Sequence, residues 1–431
     1  MLTDLFEKRS FAFCLLLYLI AFPLGCDKNR HPIPQDLFLD LAGIEHPSGL
    51  QHDSNSDAIE RVRYAPLNEI YFNEVRTDTQ GTMQLRINLF DDAVYPAFTK
   101  PTETSLGGTD IWTGKAQVEG DIRIVFVLRG WEITGEVRTE TDIYRITPTK
   151  VRPWHAITHL KSHKFPDEGP AVLPPTSLNI LERQQDKSFA TKLCDSKRPP
   201  PPPGKGPRVA IMVLFTAAAR QASSNIENDI VLAMTQVDQA SGGAWFKVYP
   251  LLVHTAEIAF TESGNSESDL KTFASLSHVK DLRTQHKADL VALITESGDS
   301  CGIAYTLYPM RPELEAYAYS VTRRICLPNA TLAHEIGHNM GMLHDRYVHN
   351  GGDAGSFNYG YVNTSTKYRT IMAYADQCTK LGISCNRVLT YSSPGHRKPY
   401  GELGIEAGRP NAAHNTETLC RNAGIVQMFR R

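Results

Sequence analysis

Apolar and polar positions divide the chain into two parts with different periods. Between Tyr64 and Ile146 the chain turns β-like, with short apolar-rich runs separated by turn residues. Met83-Gln84-Leu85-Arg86-Ile87-Asn88-Leu89 alternates as a half-buried strand does. The runs Asp121–Leu128 and Trp131–Val137 flank Arg129-Gly130, a hairpin-like break, and Tyr144-Arg145-Ile146 makes a further short strand. This part predicts an antiparallel sheet domain over residues 64–196. After the unbroken prolines Pro199 to Pro203 the pattern changes. Val209–Phe215 is a continuous apolar run, as a buried strand is, and Ala288–Ile294 reads as a further strand. Ile226, Ile230, Ala233 and Val237 recur at helical spacing within a stretch from Ala217 to Ala240, and Leu270 to His286 predicts a second helix. Trp245–Ile258, Gly302–Leu307 and Ala316–Val321 add strands, the last two toward the sheet edge. A helix beginning near Asn329, with Asn329 as its cap and Pro328 barring an earlier start, follows. A last helix runs from about Thr416 to Phe429. The expectation over residues 208–431 is an α/β (α+β) domain with a twisted mixed sheet.

The segment between the two parts, residues 197–207, is a polyproline II spacer flanked by Lys197-Arg198 and Lys205, extended, solvated and open to nicking. Residues 27–63 are polar and weakly patterned and read as a linker. Ahead of them, Lys8 and Arg9 precede an apolar run from Phe11 to Phe22, too short to span a bilayer and suited to a signal peptide over residues 1–25. The run ends in Pro23-Leu24-Gly25-Cys26, similar to a bacterial lipobox. Export is the expectation: to the cell surface or periplasm if Cys26 carries a lipid, otherwise as a secreted protein.

With 431 residues the chain has room for two or three cores, and a net charge of −2 gives no reason to expect nucleic acid. Export changes how the cysteines read. Outside the signal and Cys26 there are six, and an even set in an oxidising compartment predicts disulfides. Cys301 with Cys326 and Cys378 with Cys385 are the preferred pairs, leaving Cys194 and Cys420.

The chemistry concentrates in Leu332–Asp345, L-A-H-E-I-G-H-N-M-G-M-L-H-D. His334 and His338, four apart, project from one face of a helix and can share a zinc ion at about 2 Å. Glu335 falls beside the metal, where it can accept a proton from water. Gly341 permits a sharp helix exit, after which His344 can return as third ligand with one position left open. A structural zinc site would close four protein ligands; this one offers three and a base. His155, His159 and His163 imitate such a cluster by their spacing. Pro153 just upstream and the lack of acidic residues among them favour solvated or contact roles over a second metal site.

With Thr370-Ile371-Met372-Ala373-Tyr374 downstream, the long motif resembles that of metzincin metallopeptidases. Asp345 after the third histidine points to the reprolysin-like branch, and residues from about Pro207 onward most resemble the bacterial peptidyl-Asp metallopeptidases. The resemblance implies His334, His338 and His344 as zinc ligands, Glu335 as general base and Met372 as an apolar floor. Tyr374 would either approach zinc as a weak ligand or stabilise the oxyanion, a packed core aromatic being the bland reading. The β-rich part would be propeptide-like. Leu193-Cys194-Asp195 is then placed like a cysteine switch, the competing reading being a disulfide to Cys420. The edge strand Gly302–Leu307 can hold an extended substrate. The implied function is an exported, zymogen-type zinc endopeptidase acting on protein or peptide substrates. The alternative is a surface-anchored binding protein built on a metzincin scaffold. A preference for cutting beside acidic residues would need a basic pocket residue, and Arg369 and Lys380 flank the Met372 segment.

Overall fold

In the computed structural model the alternation at Met83–Leu89 becomes a strand whose Leu85, Ile87 and Leu89 are fully buried. The structure describes residues 35–40, 47–48, 50, 56–76, 83–101, 109–175, 205–242 and 246–430. The segment read as a signal peptide, Cys26, Cys194 and the proline run lie outside the described residues. Among those described, no helix is long and apolar enough to cross a membrane.

The first sheet has eight strands: β1 (Ile59–Pro66), β2 (Met83–Phe90), β3 (Ala93–Pro101), β4 (Asp110–Ala116), β5 (Arg123–Arg129), β6 (Glu132–Arg138), β7 (Asp142–Pro148) and β8 (Trp154–Lys161). Their order is β1-β8-β7-β6-β5-β4-β3-β2, and every neighbouring pair is antiparallel. β1 starts at Ile59, inside the stretch read as linker, because pairing with β8 orders it despite its polar sequence. Residues Asp36 and Phe38 bridge to Arg86 and Leu67, linking the two edge regions of the curled sheet. Asn88 stands in for backbone there: its amide oxygen accepts from the Phe38 amide at 2.9 Å and its nitrogen donates to the Phe38 carbonyl at 2.7 Å.

The histidines with look-alike spacing lie on and just after β8. His159 meets Asp142 at 2.6 Å and stacks on Tyr144, and half-exposed His163 faces Asn386 at 3.4 Å. His155, expected to be solvated or a contact residue, is instead fully buried between Phe38 and Trp131. Its Nδ1 donates to the Pro153 carbonyl at 3.0 Å and its Nε2 accepts from the Ile133 amide at 3.2 Å, which fixes a neutral tautomer. Burial lowers its pKa to about 4. The unfolded chain, with a value near 6.5, therefore binds the extra proton between about pH 6.5 and 4, so folding stability is lost as pH falls through that window. The full effect is about 3 kcal/mol, of which roughly 2 kcal/mol accrues between pH 7 and 5. Urea unfolding at both pH values, with His155→Gln beside wild type, should show that share of the slope missing from the variant. An equal slope in both proteins would refute it.

The second sheet holds β9 (Arg208–Thr216), β10 (Tyr249–Ile258), β11 (Leu290–Thr295), β12 (Gly302–Ala304) and β13 (Tyr319–Arg323) in the order β10-β9-β11-β13-β12. The first four in that order are mutually parallel, and β12 runs antiparallel at the edge. The sheet is mixed, as expected. The long helix read over Ala217–Ala240 is two, Ala217–Ala222 and Ile226–Ala240, because Asn225 leaves the helix to cap the Asn228 amide. The second helix likewise breaks at Leu276, which is extended. The helix Thr331–Asn339 packs beneath β12 and β13, and Asn415–Val426 closes the chain. Asn329 does not cap the former. It ends a 3-10 turn that includes Pro328, and Ala330, left-handed at φ 59°, precedes the helix instead.

Both preferred disulfides form. Cys301–Cys326 ties the start of β12 to the approach of the helix, packed under Leu160 and Phe165, and Cys378–Cys385 closes a local loop. Cys420 is disulfide-bonded as well.

The face of Ile226–Ala240 turned away from its own core meets β5 to β7. Asn228 donates to Thr134 at 3.2 Å, Gln236 to Glu136 at 2.8 Å, and Asp229 pairs with Arg145. Val231 and Leu232 add an apolar contact with Val125 and Val127.

Candidate functional site

Helical spacing puts His334 and His338 on one face of Thr331–Asn339, and Gly341, at φ +85°, makes the turn that brings His344 back. The three rings converge. Nε2 of His344 lies 3.1 Å from Nε2 of His334 and 2.9 Å from Nε2 of His338. They form the one group of three or more metal-binding side chains among the described residues. Ring orientation is set from outside: His334 Nδ1 donates to the Ile371 carbonyl at 2.8 Å and His338 Nδ1 to the Met342 carbonyl at 2.9 Å. With Nδ1 protonated, their Nε2 lone pairs point at the shared centre. Burial lowers His334 to about 4 and His338 to about 3, and holds His344 well below its usual value. Three neutral rings with facing lone pairs repel unless a cation lies among them. A tetrahedral ion at about 2.0–2.1 Å from each nitrogen needs separations of roughly 3.3 Å, close to those seen. The donor set fits zinc.

Glu335 is fully buried, and among the described residues neither carboxylate oxygen has a hydrogen-bond partner. Burial, with Glu168 adding to it, pushes its carboxyl well above the ordinary value. A Cβ on Gly302 would lie 2.5 Å from Glu335 Oε1, so the carboxylate rests against the edge strand. Met372 is fully buried and abuts Gly337, where a Cβ would run into its sulfur. The segment is thus a floor under the helix, and its Ile371 carbonyl orients His334.

Asp345 joins helix exit to floor. Its carboxylate accepts from the Tyr347 amide at 3.0 Å and the Tyr374 amide at 2.9 Å. Tyr374 thereby packs with its ring centroid 4.0 Å from that of His344. Its hydroxyl faces the carbonyls of Glu168 and Gly169 at 2.8 and 2.7 Å.

Of the two basic residues flanking the floor, Lys380 is exposed at the end of the short helix Asp376–Lys380. Arg369 is buried and donates to the Ala373 carbonyl at 2.5 Å, bracing the floor. Burial, then neighbouring Arg387, lowers it to about 10. Sequence reasoning passed over Arg387 and Glu168, which meet in a fully buried ion pair beside His334. The local hint was an acidic pair, Asp167-Glu168, set before Gly169-Pro170. Nothing near Arg387 in the sequence marks it.

Residues 205–384 match the family model described as "Metallo-peptidase family M12". The chain is 24% identical over 383 residues to a "Peptidyl-Asp metalloendopeptidase" of Stenotrophomonas maltophilia (strain K279a), covering 83% of this chain and 86% of that protein. It is 30% identical over 193 residues to a protein of the same name from Pseudomonas aeruginosa, covering 38% of this chain and 32% of that one. Among solved structures, "Structure of a chaperone-substrate complex" overlaps with a TM-score of 0.41 at 17% identity, covering 52% of this chain and 39% of that one. Metalloproteinase-II from Bacteroides fragilis overlaps with a TM-score of 0.40 at 13% identity, covering 64% and 83% respectively.

Proposed function

We propose that the chain is a zinc metalloendopeptidase of the reprolysin-like M12 metallopeptidases, exported and made as a latent zymogen, with Glu335 as its general base. The observation that carries the assignment of the base is the buried, unpartnered Glu335 carboxylate beside the three converging histidines. His334, His338 and His344 hold the ion, which when bound supplies a Lewis acid that brings the pKa of a water from about 15.7 toward about 7. Glu335 takes the proton of the attacking water onto its carboxylate and returns it to the leaving amine nitrogen. Tyr374 offers its phenol hydrogen to the developing oxyanion. Backbone groups of β12 hold the substrate extended.

Latency is supported by the docking of residues 59–161 on Ile226–Ala240, where polar pairs stand beside an apolar contact. Cleavage near the proline run is the proposed release step, and the signal-like N-terminus supports export. The names of the relatives suggest cleavage beside an acidic residue. The alternative of a surface-anchored, inactive binding scaffold is disfavoured, because such a scaffold has no chemical need for Glu335 together with all three histidines.

The test is a peptide-library digest with the enzyme released by limited proteolysis, run zinc-loaded, chelator-stripped and zinc-restored. Cleavage should vanish on stripping and return with one equivalent of zinc. A zinc-loaded, processed enzyme that cuts nothing would end the peptidase reading.

A further inference from the structure

The edge expected to receive substrate is already taken by the chain itself. After β8 the chain turns through Ser162–Lys164 and lays residues 167–172 along β12. The Cys301 amide donates to the Asp167 carbonyl at 3.1 Å, the Gly169 amide to the Gly302 carbonyl at 2.7 Å, and the Thr306 amide to the Val172 carbonyl at 2.8 Å. Val172 pairs with Tyr305 in parallel. Tyr374, which the mechanism needs, is occupied by the Glu168 and Gly169 carbonyls.

Between these contacts the Glu168 side chain drops into a closed pocket. Arg387 grips it with both terminal nitrogens, Nη2 to Oε2 at 2.7 Å and Nη1 to Oε1. The Thr331 hydroxyl, on the first residue of the active-site helix, donates to Oε1 at 3.0 Å. Oε2 lies 4.0 Å from His334 Nδ1. Arg387 also donates to the Asn329 carbonyl at 3.1 Å. Burial raises the Glu168 carboxyl, but Arg387 outweighs it and holds the group well below the carboxylate range.

Resting on the peptidase reading above, we propose that Arg387 is the residue that reads acidic side chains beside the scissile bond, and that Glu168 is a built-in surrogate for them, latching residues 167–172 across the cleft. A buried ion pair is a poor stabiliser compared with apolar packing, so an ordinary core position gives no reason to keep one. Here its two halves come from the two parts of the chain, and Glu168 leaves if its segment is released. Arg387 then remains in a pocket with a hydroxyl and a carbonyl but no anion. A guanidinium fork in that state selects a planar carboxylate through two charge-assisted hydrogen bonds and rejects the amide isostere.

The experiment uses the full chain before and after limited proteolysis, with peptide pairs that differ only in Asp against Asn beside the scissile bond. Processed wild type should prefer Asp by at least about tenfold, and Arg387→Gln should lower kcat/KM for the Asp peptide at least about tenfold more than for the Asn peptide. Before processing, Glu168→Gln should leak activity at least about tenfold above wild type. A synthetic peptide of residues 165–173, which needs no variant to fold, should inhibit processed wild type at least about tenfold better with Glu than with Gln at position 168, and Arg387→Gln should erase that difference. Equal inhibition by the two peptides, with an unchanged Asp preference in Arg387→Gln, overturns the proposal. If processed wild type cuts no peptide, the peptidase reading fails instead. Fluorescence anisotropy of the same two peptides then reads the pocket directly, with tighter binding of the Glu form supporting it and equal binding overturning it.

Discussion

Glu335→Gln is expected to lower kcat of the processed enzyme by about 10²- to 10⁴-fold while zinc content and fold are kept. The amide preserves the shape of the side chain and removes the carboxylate proposed to move the proton. The three histidines are oriented by the Ile371 and Met342 carbonyls and by packing, none of which involves the Glu335 carboxylate, so one equivalent of metal should remain. Stability should move the other way. A fully buried carboxylate with no hydrogen-bond partner among the described residues is a cost that the neutral amide partly removes. Activity lost together with an unchanged or higher Tm is the signature of a group kept for chemistry. Fluorogenic-peptide kinetics, metal analysis and calorimetry on wild type and variant decide it. A variant within tenfold of wild type would remove Glu335 from the proton path.

The parts of this molecule that could be read from sequence are those written in local periodicity. Leu85, Ile87 and Leu89 alternate because one face of β2 is covered, and Leu290–Thr295 is continuous because both faces of β11 are. The converging histidines were readable because His334 and His338 share one helix and Gly341 sits at the turn before His344. What escaped depends on distant parts meeting. Glu168 and Arg387 are 219 residues apart, and each alone resembles an ordinary solvated charge. Asn228, Asp229 and Gln236 fall on what periodicity marks as the wet face of a helix, yet the first sheet covers them. The Asn329 cap failed for a local reason: Pro328 fits a 3-10 turn, which carries the chain one residue further before the helix begins.

Gly302→Ala is expected to lower kcat by about 10²-fold while KM changes far less, and no residue of the zinc motif is touched. Gly302 is not in the left-handed region, so backbone strain does not require a glycine there. Space does. The added methyl would lie 2.5 Å from Glu335 Oε1, 2.9 Å from Glu335 Cδ and 2.7 Å from the Thr331 methyl. Real Cβ contacts do not come so close, so either the carboxylate swings away or β12 lifts off the helix. Both displace the base by about 1 Å relative to the histidines, the scale of error that costs about 10²-fold in rate. Overpacking adds a stability loss of about 1–3 kcal/mol. The split between kcat and KM separates these effects, because the β12 backbone proposed to hold substrate keeps its hydrogen-bonding groups. Loss of fold lowers the active fraction and therefore scales with the Tm shift, whereas loss of the base lowers kcat in enzyme that remains folded and zinc-loaded. A folded Gly302→Ala enzyme with wild-type kcat would mean that Glu335 does not work from the position against β12 in which it is found.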